Sequence, residues 1–99
     1  MSDTKFYRIG EVAKKLGIHD QTIRMYERRS LFKPHRDEKG NRIFHDRDII
    51  RLQIIITLTQ ELGLNLSGVK LAFALARRLK MSNDELLDFI DDHFSEFHI

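Results

Sequence analysis

The stretch HDQTIRMYERRSLF, residues 19–32, combines a helical pattern with concentrated positive charge. Ile23 and Tyr26 fall on one side of a helix with about 100° per residue. Three polar residues fall together on the other side: Gln21, Arg24 and Arg28. The stretch therefore predicts a helix from near Asp20 to about Arg29, with an apolar face for a core and an opposite face of hydrogen-bond donors. A basic face that contacts only solvent is the alternative interpretation.

The preceding segment RIGEVAKKLGI, residues 8–18, also has helical spacing. Its apolar residues recur at intervals of three or four and are Ile9, Val12, Ala13 and Leu16. Gly17 is a stop signal, and only two residues separate it from Asp20, which is a favourable helix-starting residue. Two short helices joined by a tight glycine-containing turn predict a helix-turn-helix.

The segment after residue 32 reads as a basic hairpin. Pro34 ends the helical region, and DEKG at 37–40 is a turn signal in which Gly40 can take a positive φ. The flanks 32–36 and 41–44 are short enough to pair. Three basic residues lie on or near the tip: Arg36, Lys39 and Arg42. An ordinary surface hairpin is one interpretation, but a second basic element in tandem favours a wing that contacts a phosphate backbone.

Three further helices are predicted. The third spans 46–62, is apolar nearly all round and is closed by Gly63, so it should be buried on more than one side. The fourth should begin with Ser67 as its cap, and the fifth begins near Ser82, where Ser82 and Glu85 have capping-box spacing. An apolar stripe follows on the fifth helix: Leu86, Phe89, Ile90, Phe94 and Phe97. Packing on its own core and pairing with the same helix of a second copy both remain open for this stripe.

Composition narrows the class of protein. The 99 residues contain no Cys, which excludes disulfides and thiolate metal sites, and the five His show no metal-ligand spacing. Residues 1–52 carry 13 Lys/Arg against 8 Asp/Glu, whereas residues 53–99 carry 4 against 7, so only the first half is suited to binding a polyanion.

No signal peptide or membrane span is apparent, which gives the cytoplasm as the expected compartment. No phosphate loop or nucleophile-base pair occurs, so we expect a binding protein with no cofactor and no metal, not an enzyme.

These motifs together resemble the DNA-binding domain of the MerR family of bacterial transcription regulators. The resemblance covers roughly residues 7–70 and is carried by IGEVAKKLGIHDQTIRMYERRSLFKPHR, GNRIF and DIIRL. It implies that the second helix enters the major groove through Gln21, Thr22, Arg24 and Tyr26. Arg28 is also expected to contact DNA, and the wing residues Arg36, Lys39 and Arg42 would hold the phosphate backbone of the flanking DNA. It also implies a homodimer paired through its last helix on DNA with an inverted repeat.

The sequence departs from the commonest family pattern at three positions. Met25 stands in place of a usual Tyr, Asn41 in place of a wing Tyr, and Phe44 where Tyr is frequent. The stretch TQELGLNLSGVK, residues 59–70, is similar to the heat-shock-repressor branch of the family. That branch implies repression of chaperone genes, with the chaperone DnaK or a co-chaperone as a partner.

We therefore expect a mainly α protein with a winged helix-turn-helix domain at 5–80 and a short dimerisation helix at 82–98. The expected function is dimeric, sequence-specific DNA binding in the bacterial nucleoid, most simply as a repressor of stress genes. A chaperone-modulating adaptor of the same fold, and an excisionase-like architectural factor, are the alternatives. An adaptor does not need Arg24, Arg28, Arg36 and Arg42 together, and their joint presence favours DNA.

Overall fold

The computed structural model describes residues 5–94 and is mainly helical with one small hairpin, as predicted. Its elements are α1 (Ile9–Leu16), α2 (Asp20–Arg28), β1 (His35–Arg36), β2 (Arg42–Ile43), α3 (Asp46–Ile56), a π-helical segment (Thr57–Glu61), α4 (Leu66–Arg78) and α5 (Asn83–Phe94). The chain forms two compact units that divide between Leu52 and Gln53. No helix among residues 5–94 is long and apolar enough to cross a membrane.

The helix-turn-helix of the first unit depends on Gly17. This residue ends α1 with φ at +70°, a left-handed conformation that glycine adopts without a steric penalty. The amide of Ile18 then donates to the Ala13 carbonyl at 3.0 Å, which satisfies a free carbonyl at the helix end. The chain turns sharply there, and α2 begins at Asp20, as the sequence predicted.

The wing is attached to the start of the chain by backbone hydrogen bonds. β1 and β2 pair antiparallel, with Arg36 opposite Arg42, and Gly40 takes a φ of +84° in the turn. Tyr7 and Phe44 exchange two further backbone hydrogen bonds, of 2.7 and 2.9 Å. The hairpin predicted from the sequence is confirmed, and the strip of chain around Tyr7 extends it.

A small apolar core holds the first unit together. Its fully or nearly fully buried side chains come from the three helices of the unit and from the segments beside the wing strands: Val12, Ile23, Tyr26, Leu31, Phe32, Phe44 and Leu52. Phe44 is completely buried, and its ring centroid lies 5.9 Å from that of Phe32. The start of α3 joins this unit because Asp48 caps the His45 amide at 2.8 Å and Arg51 donates to the Leu31 carbonyl at 2.7 Å.

The end of the third helix differs from the prediction. The sequence predicted one α-helix to Leu62, but α3 stops at Ile56 and residues 57–61 continue as a π-helical segment. There the Leu62 amide donates to the Thr57 carbonyl, five residues back, at 3.1 Å. The Thr59 hydroxyl donates to the Ile55 carbonyl at 2.8 Å, and such back-bonding competes with the regular helical ladder. The prediction of burial on more than one side is confirmed, since Ile54, Ile55 and Leu58 are all buried.

The cap of α4 was predicted wrongly. Ser67 lies inside the helix, and Asn65 is the N-cap. The Asn65 side chain accepts a hydrogen bond from the Gly68 amide at 2.8 Å. Asn and Ser both cap helices well, so the sequence pattern did not separate two candidates that lie two residues apart.

The start of α5 was predicted correctly, and its apolar stripe is divided. The Ser82 amide donates to Glu85 at 2.8 Å, and the Glu85 amide donates to the Ser82 hydroxyl at 3.1 Å, which completes the capping box. Leu86 and Ile90 are buried by the chain itself, whereas Phe89 is exposed and Phe94 is half-buried. Phe97 lies outside the described residues. The second unit therefore already uses part of the stripe for its own core, together with Val69, Phe73 and Ala76 of α4.

Among single truncations of apolar side chains in the first unit, Phe44→Ala should lower the unfolding free energy most. A buried Phe truncated to Ala loses about 3–5 kcal/mol of unfolding free energy, because both the transfer energy and the packing contacts are lost. Urea denaturation followed by circular dichroism measures this change. The matched control is Phe6→Ala, because Phe6 is 47% exposed and should change the stability by less than about 0.5 kcal/mol. Equal midpoints for the two variants would contradict a core centred on Phe44.

Candidate nucleic-acid interface

The outer face of α2 presents polar side chains in one row, as its sequence pattern predicted. Gln21 and Arg28 are exposed, and Thr22 and Arg24 are half-buried. Arg24 lies 3.6 Å from Asp20 one turn earlier, a long and solvent-exposed ion pair. The Nε atom of Arg24 has no hydrogen-bond partner among the described residues. That atom is buried, so the donors left for an external acceptor are the outer N–H groups of the 36% exposed side chain.

Tyr26 does not belong to this row, and its expected place in the groove is corrected. The side chain is 3% exposed and lies in the core face of α2 with Ile23. The spacing of Ile23 and Tyr26 had already put both on the apolar side. The resemblance implied the opposite for Tyr26, and burial of its large ring outweighs that expectation.

Glu27 joins α2 to the wing. Its two carboxylate oxygens accept from two wing arginines: Oε1 from Arg42 Nε at 2.7 Å and Oε2 from Arg36 Nη2 at 3.1 Å. Partial burial raises the pKa of the Glu27 carboxyl, but hydrogen bonds and positive charge from Arg42 and then Arg36 outweigh it, so the pKa lies below its ordinary value. The two arginines predicted to hold phosphates are thus held in place by a carboxylate of the helix beside them.

A second ion pair fixes the wing to the residue before α1. Arg8 Nη1 donates to Asp37 Oδ2 at 2.8 Å, and the other Asp37 oxygen accepts from the amides of Lys39 and Asn41, both at 2.9 Å. These contacts keep the turn closed. The Asn41 amide bond lowers the pKa of the Asp37 carboxyl, and despite some opposing desolvation Arg8 and the Lys39 amide lower it further.

Three arginines surround an open cleft between the start of α1, α2 and the wing. Arg8, Arg24 and Arg42 line this cleft of about 400 Å³, together with the backbone around Gly40 and Asn41. Sequence reasoning did not single out Arg8, because it precedes α1 and lies outside both basic elements. Its proximity to Asp37 depends on the Tyr7–Phe44 pairing, which no local pattern predicted. An anion such as a phosphate fits the charge of this cleft.

Further polar residues of the wing region are Lys39 at the tip and two histidines, His35 on β1 and His45 just after β2. Lys39 is exposed at the tip, and its side chain forms no ion pair or hydrogen bond with the residues the structure describes. The rings of His35 and His45 lie edge to face with centroids 5.7 Å apart, and Arg47 Nη2 lies 2.8 Å from His35 Nε2. A guanidinium on that nitrogen blocks it as a ligand, and no group of three or more potential ligands among residues 5–94 could hold a metal ion.

The sequence is similar to those of known regulatory proteins. The model of the family described as MerR HTH family regulatory protein matches residues 7–76. A mercuric resistance operon regulatory protein of Bacillus cereus is 37% identical over 84 residues, which cover 84% of this chain and 63% of that protein. The heat shock protein HspR of Streptomyces coelicolor is 40% identical over 68 residues, or 69% of this chain and 45% of that protein. The chain thus spans about half to two thirds of the length of these relatives.

Solved structures agree on the fold. HiNmlR, a MerR family regulator lacking the sensor domain and crystallised bound to promoter DNA, superposes with a TM-score of 0.66 at 29% identity, covering 89% of this chain and 67% of that one. A MerR family transcriptional regulator from Bacillus cereus gives a TM-score of 0.63 at 20% identity, covering 94% of this chain and 75% of that one, and supports the fold alone.

Glu27→Gln should weaken the attachment of the wing to α2, and the resulting loss of unfolding free energy should depend on pH. The lowered pKa means that the unfolded chain binds a proton more readily than the folded chain. The stabilisation is therefore complete above the unfolded pKa, near 4.5, and disappears as the pH falls through the folded value. At neutral pH the variant should lose about 1 kcal/mol of unfolding free energy, since these ion pairs are partly exposed.

Urea denaturation at several pH values between neutrality and pH 3 measures this effect. The parent should approach the stability of Glu27→Gln as the pH falls, and the difference should be largest at neutral pH. Glu38→Gln is the matched control, because Glu38 is exposed on the same wing and forms no ion pair with any residue from 5 to 94. A pH-independent gap between the parent and Glu27→Gln would contradict the ionised Glu27 contact.

Proposed function

Since the chain belongs to the MerR family of helix-turn-helix regulatory proteins, we propose that it binds duplex DNA and regulates transcription. The observation that carries this proposal is the single polar face of α2, with Gln21, Arg24 and Arg28 in one row beside a wing held by Glu27. A helix about 10–12 Å in diameter fits the major groove. The family consists of regulators, which agrees with the expectation of a binding protein and not an enzyme.

The residues have different roles in this proposal. Gln21 and Arg24 read base edges, because amide and guanidinium groups donate in pairs to purines in the major groove. Thr22 and Arg28 contact the adjacent backbone. Lys39 contacts phosphate from the wing tip, where none of the residues that the structure describes competes for it. Arg36 and Arg42 hold the wing in place and lend it charge, since Glu27 occupies part of each guanidinium.

The oligomeric state and target genes form the finer part of the proposal. Two copies bind an inverted repeat with their α2 helices about one or more DNA turns apart. The targets are stress or chaperone genes in the bacterial cytoplasm, which the protein represses. Similarity to HspR and the stretch 59–70 support that choice, and a chaperone such as DnaK would then be a partner.

Genomic fragments selected by binding to the protein should contain inverted repeats upstream of chaperone operons. Enrichment of other promoters among the selected fragments would contradict this target.

Salt dependence tests the electrostatic part of the proposal. Each phosphate contact releases counterions, so the logarithm of the affinity should fall with the logarithm of salt concentration by about 0.9 per contact. For a dimer we expect about six to ten contacts. Fluorescence anisotropy with a labelled duplex measures the slope, and an affinity that does not change with salt would exclude phosphate contacts and favour the protein-binding adaptor.

Arg24→Ala and Lys39→Ala should separate base reading from backbone binding. Arg24→Ala should relax preference at one position of each half-site and cost about 1–3 kcal/mol per lost base contact. Lys39→Ala should weaken all sequences nearly equally and reduce the salt slope by about one per half-site. Selection from a randomised duplex library measures both effects. If the two variants selected the same sequences as the parent, α2 would not read the bases through Arg24.

A further inference from the structure

Arg8 lies beside α2 and the wing although it belongs to neither of these elements. It precedes α1 and lines the cleft of about 400 Å³ together with Arg24 of α2 and Arg42 of β2. The two backbone hydrogen bonds between Tyr7 and Phe44, of 2.7 and 2.9 Å, hold the neighbouring chain next to the wing. The backbone thus fixes the place from which the Arg8 side chain extends.

One edge of the Arg8 guanidinium has no partner among the described residues. Nη1 donates to Asp37 Oδ2 at 2.8 Å and lies 3.4 Å from the Arg42 carbonyl oxygen. No residue from 5 to 94 accepts a hydrogen bond from Nε or Nη2. The side chain is 45% exposed, so these two donors are open to an external acceptor.

Two contacts hold the orientation of this guanidinium. Asp37 contacts it at Nη1, and its central carbon lies 5.2 Å from the centroid of the Phe6 ring, within the range of a cation–π contact. The remaining Nε and Nη2 groups form the fork with which arginine binds two oxygens of one phosphate. A fork that is already oriented loses less conformational entropy on binding than a freely rotating side chain does.

The other two arginines of the cleft also keep free donors. Arg42 Nε donates to Glu27 at 2.7 Å, and its other N–H groups have no partner among residues 5–94. The outer N–H groups of Arg24 have only the 3.6 Å contact with Asp20. The described residues that line the cleft include three arginines and no acidic residue. This balance of charge favours an anion whose charge is spread over several oxygens.

We propose that Arg8 and Arg42 bind one phosphate of the DNA backbone in this cleft, and that Arg8 thereby positions the duplex for base reading by Arg24. The inference rests on the proposed function, because the phosphate belongs to duplex DNA. Arg24 lines the same cleft, so the bound phosphate lies within about two or three nucleotides of the base that Arg24 reads, since phosphates of one strand are spaced about 3.4 Å along the axis. Such a contact fixes the register of the helix on the duplex.

Two substitutions separate phosphate binding from support of the wing. Arg8→Ala removes both the free fork and the pair with Asp37. The affinity for duplex DNA should then fall roughly tenfold per half-site. Its dependence on salt should lose about 0.9 per half-site, the value of one phosphate contact.

Asp37→Asn removes the same ion pair but keeps the Arg8 charge. It also keeps a side-chain oxygen for the amides of Lys39 and Asn41, which close the turn. If Arg8 acts on a phosphate, Asp37→Asn should keep the salt slope of the parent. If Arg8 only supports the wing, the two variants should lose the same affinity and the same slope.

Two further variants control for charge. Arg8→Lys keeps one positive charge but has no fork, so it should restore most of the salt slope and only part of the affinity. Arg78→Ala removes one exposed positive charge from α4, which contributes nothing to the cleft, and should bind as the parent does. Fluorescence anisotropy over a salt series measures each variant, and circular dichroism confirms that each is folded.

Duplexes with one neutral methylphosphonate linkage locate the phosphate. The duplex is the sequence that the parent selects from the randomised library, and each linkage of a half-site is replaced in turn. One replacement should weaken binding by the parent and by Arg78→Ala but have no further effect on Arg8→Ala. That linkage should lie within about two or three nucleotides of the base pair at which Arg24→Ala relaxes preference.

Three results would overturn the inference and leave the proposed function intact. The first is Arg8→Ala binding with the affinity and salt slope of the parent. The second is an equal loss of slope in Asp37→Asn and Arg8→Ala. The third is a set of replaced linkages that affect the parent and Arg8→Ala alike. A parent without affinity for duplex DNA would overturn both the inference and the proposed function.

Discussion

The contact between one carboxylate and two guanidinium groups determines where α2 and the wing lie relative to each other. Glu27 lies on α2, and Arg36 and Arg42 lie on the two strands of the wing, so its hydrogen bonds of 3.1 and 2.7 Å set the distance between helix and hairpin. The energy of such partly exposed pairs is small, about 1 kcal/mol or less each. Burial of Phe44 and Ile23 contributes more to folding, about 1.5–3 kcal/mol each. Apolar packing thus stabilises the unit, and the ion pairs select its geometry.

The same contact changes the electrostatics of the proposed interface. A count of arginines and lysines from the sequence overstates the charge available to phosphates, since Glu27 and Asp37 lie against Arg36, Arg42 and Arg8. Among the described residues of these two elements, Arg28 on the outer face of α2 and Lys39 at the wing tip have no such neighbour, and Arg24 has only the longer contact of 3.6 Å with Asp20. A guanidinium held by a carboxylate loses little conformational entropy when a phosphate arrives, so the internal pairs prepare the wing for binding while reducing its net charge.

Local signals in the sequence predicted the local structure well. Gly17, Gly40 and the Ser82–Glu85 pair each fix a turn or a helix end through one or two hydrogen bonds between near neighbours, and the structure has all of them. The second helix also begins at Asp20 as predicted, without a side-chain capping hydrogen bond. Contacts between distant residues were not predicted. Neither the Tyr7–Phe44 pairing nor the Glu27 contacts have a sequence signature, because they join segments that only the completed fold brings together.

The third and fourth helices show a different limit of sequence reasoning. Apolar residues occur nearly all round α3, so its pattern did not reveal where the π-helical segment begins; that depends on hydrogen bonds such as Thr59 to Ile55. On α4, apolar residues lie on both the inner and the outer side, and burial alone distinguishes Val69 and Phe73, which are buried, from Leu71 and Leu75, which are exposed.

The uneven charge of the chain connects DNA binding with self-association. A net positive first half approaches a phosphate backbone favourably, whereas the carboxylates of α5 are repelled by it. A second copy on the adjacent half-site, as proposed above, would bring a second basic first half to the same duplex, so association and DNA binding would favour each other. A weak interface is sufficient under this linkage, because two adjacent half-sites raise the effective concentration of one copy beside the other to about the millimolar range. The free protein could then exchange partners readily while the operator-bound protein remains a stable pair.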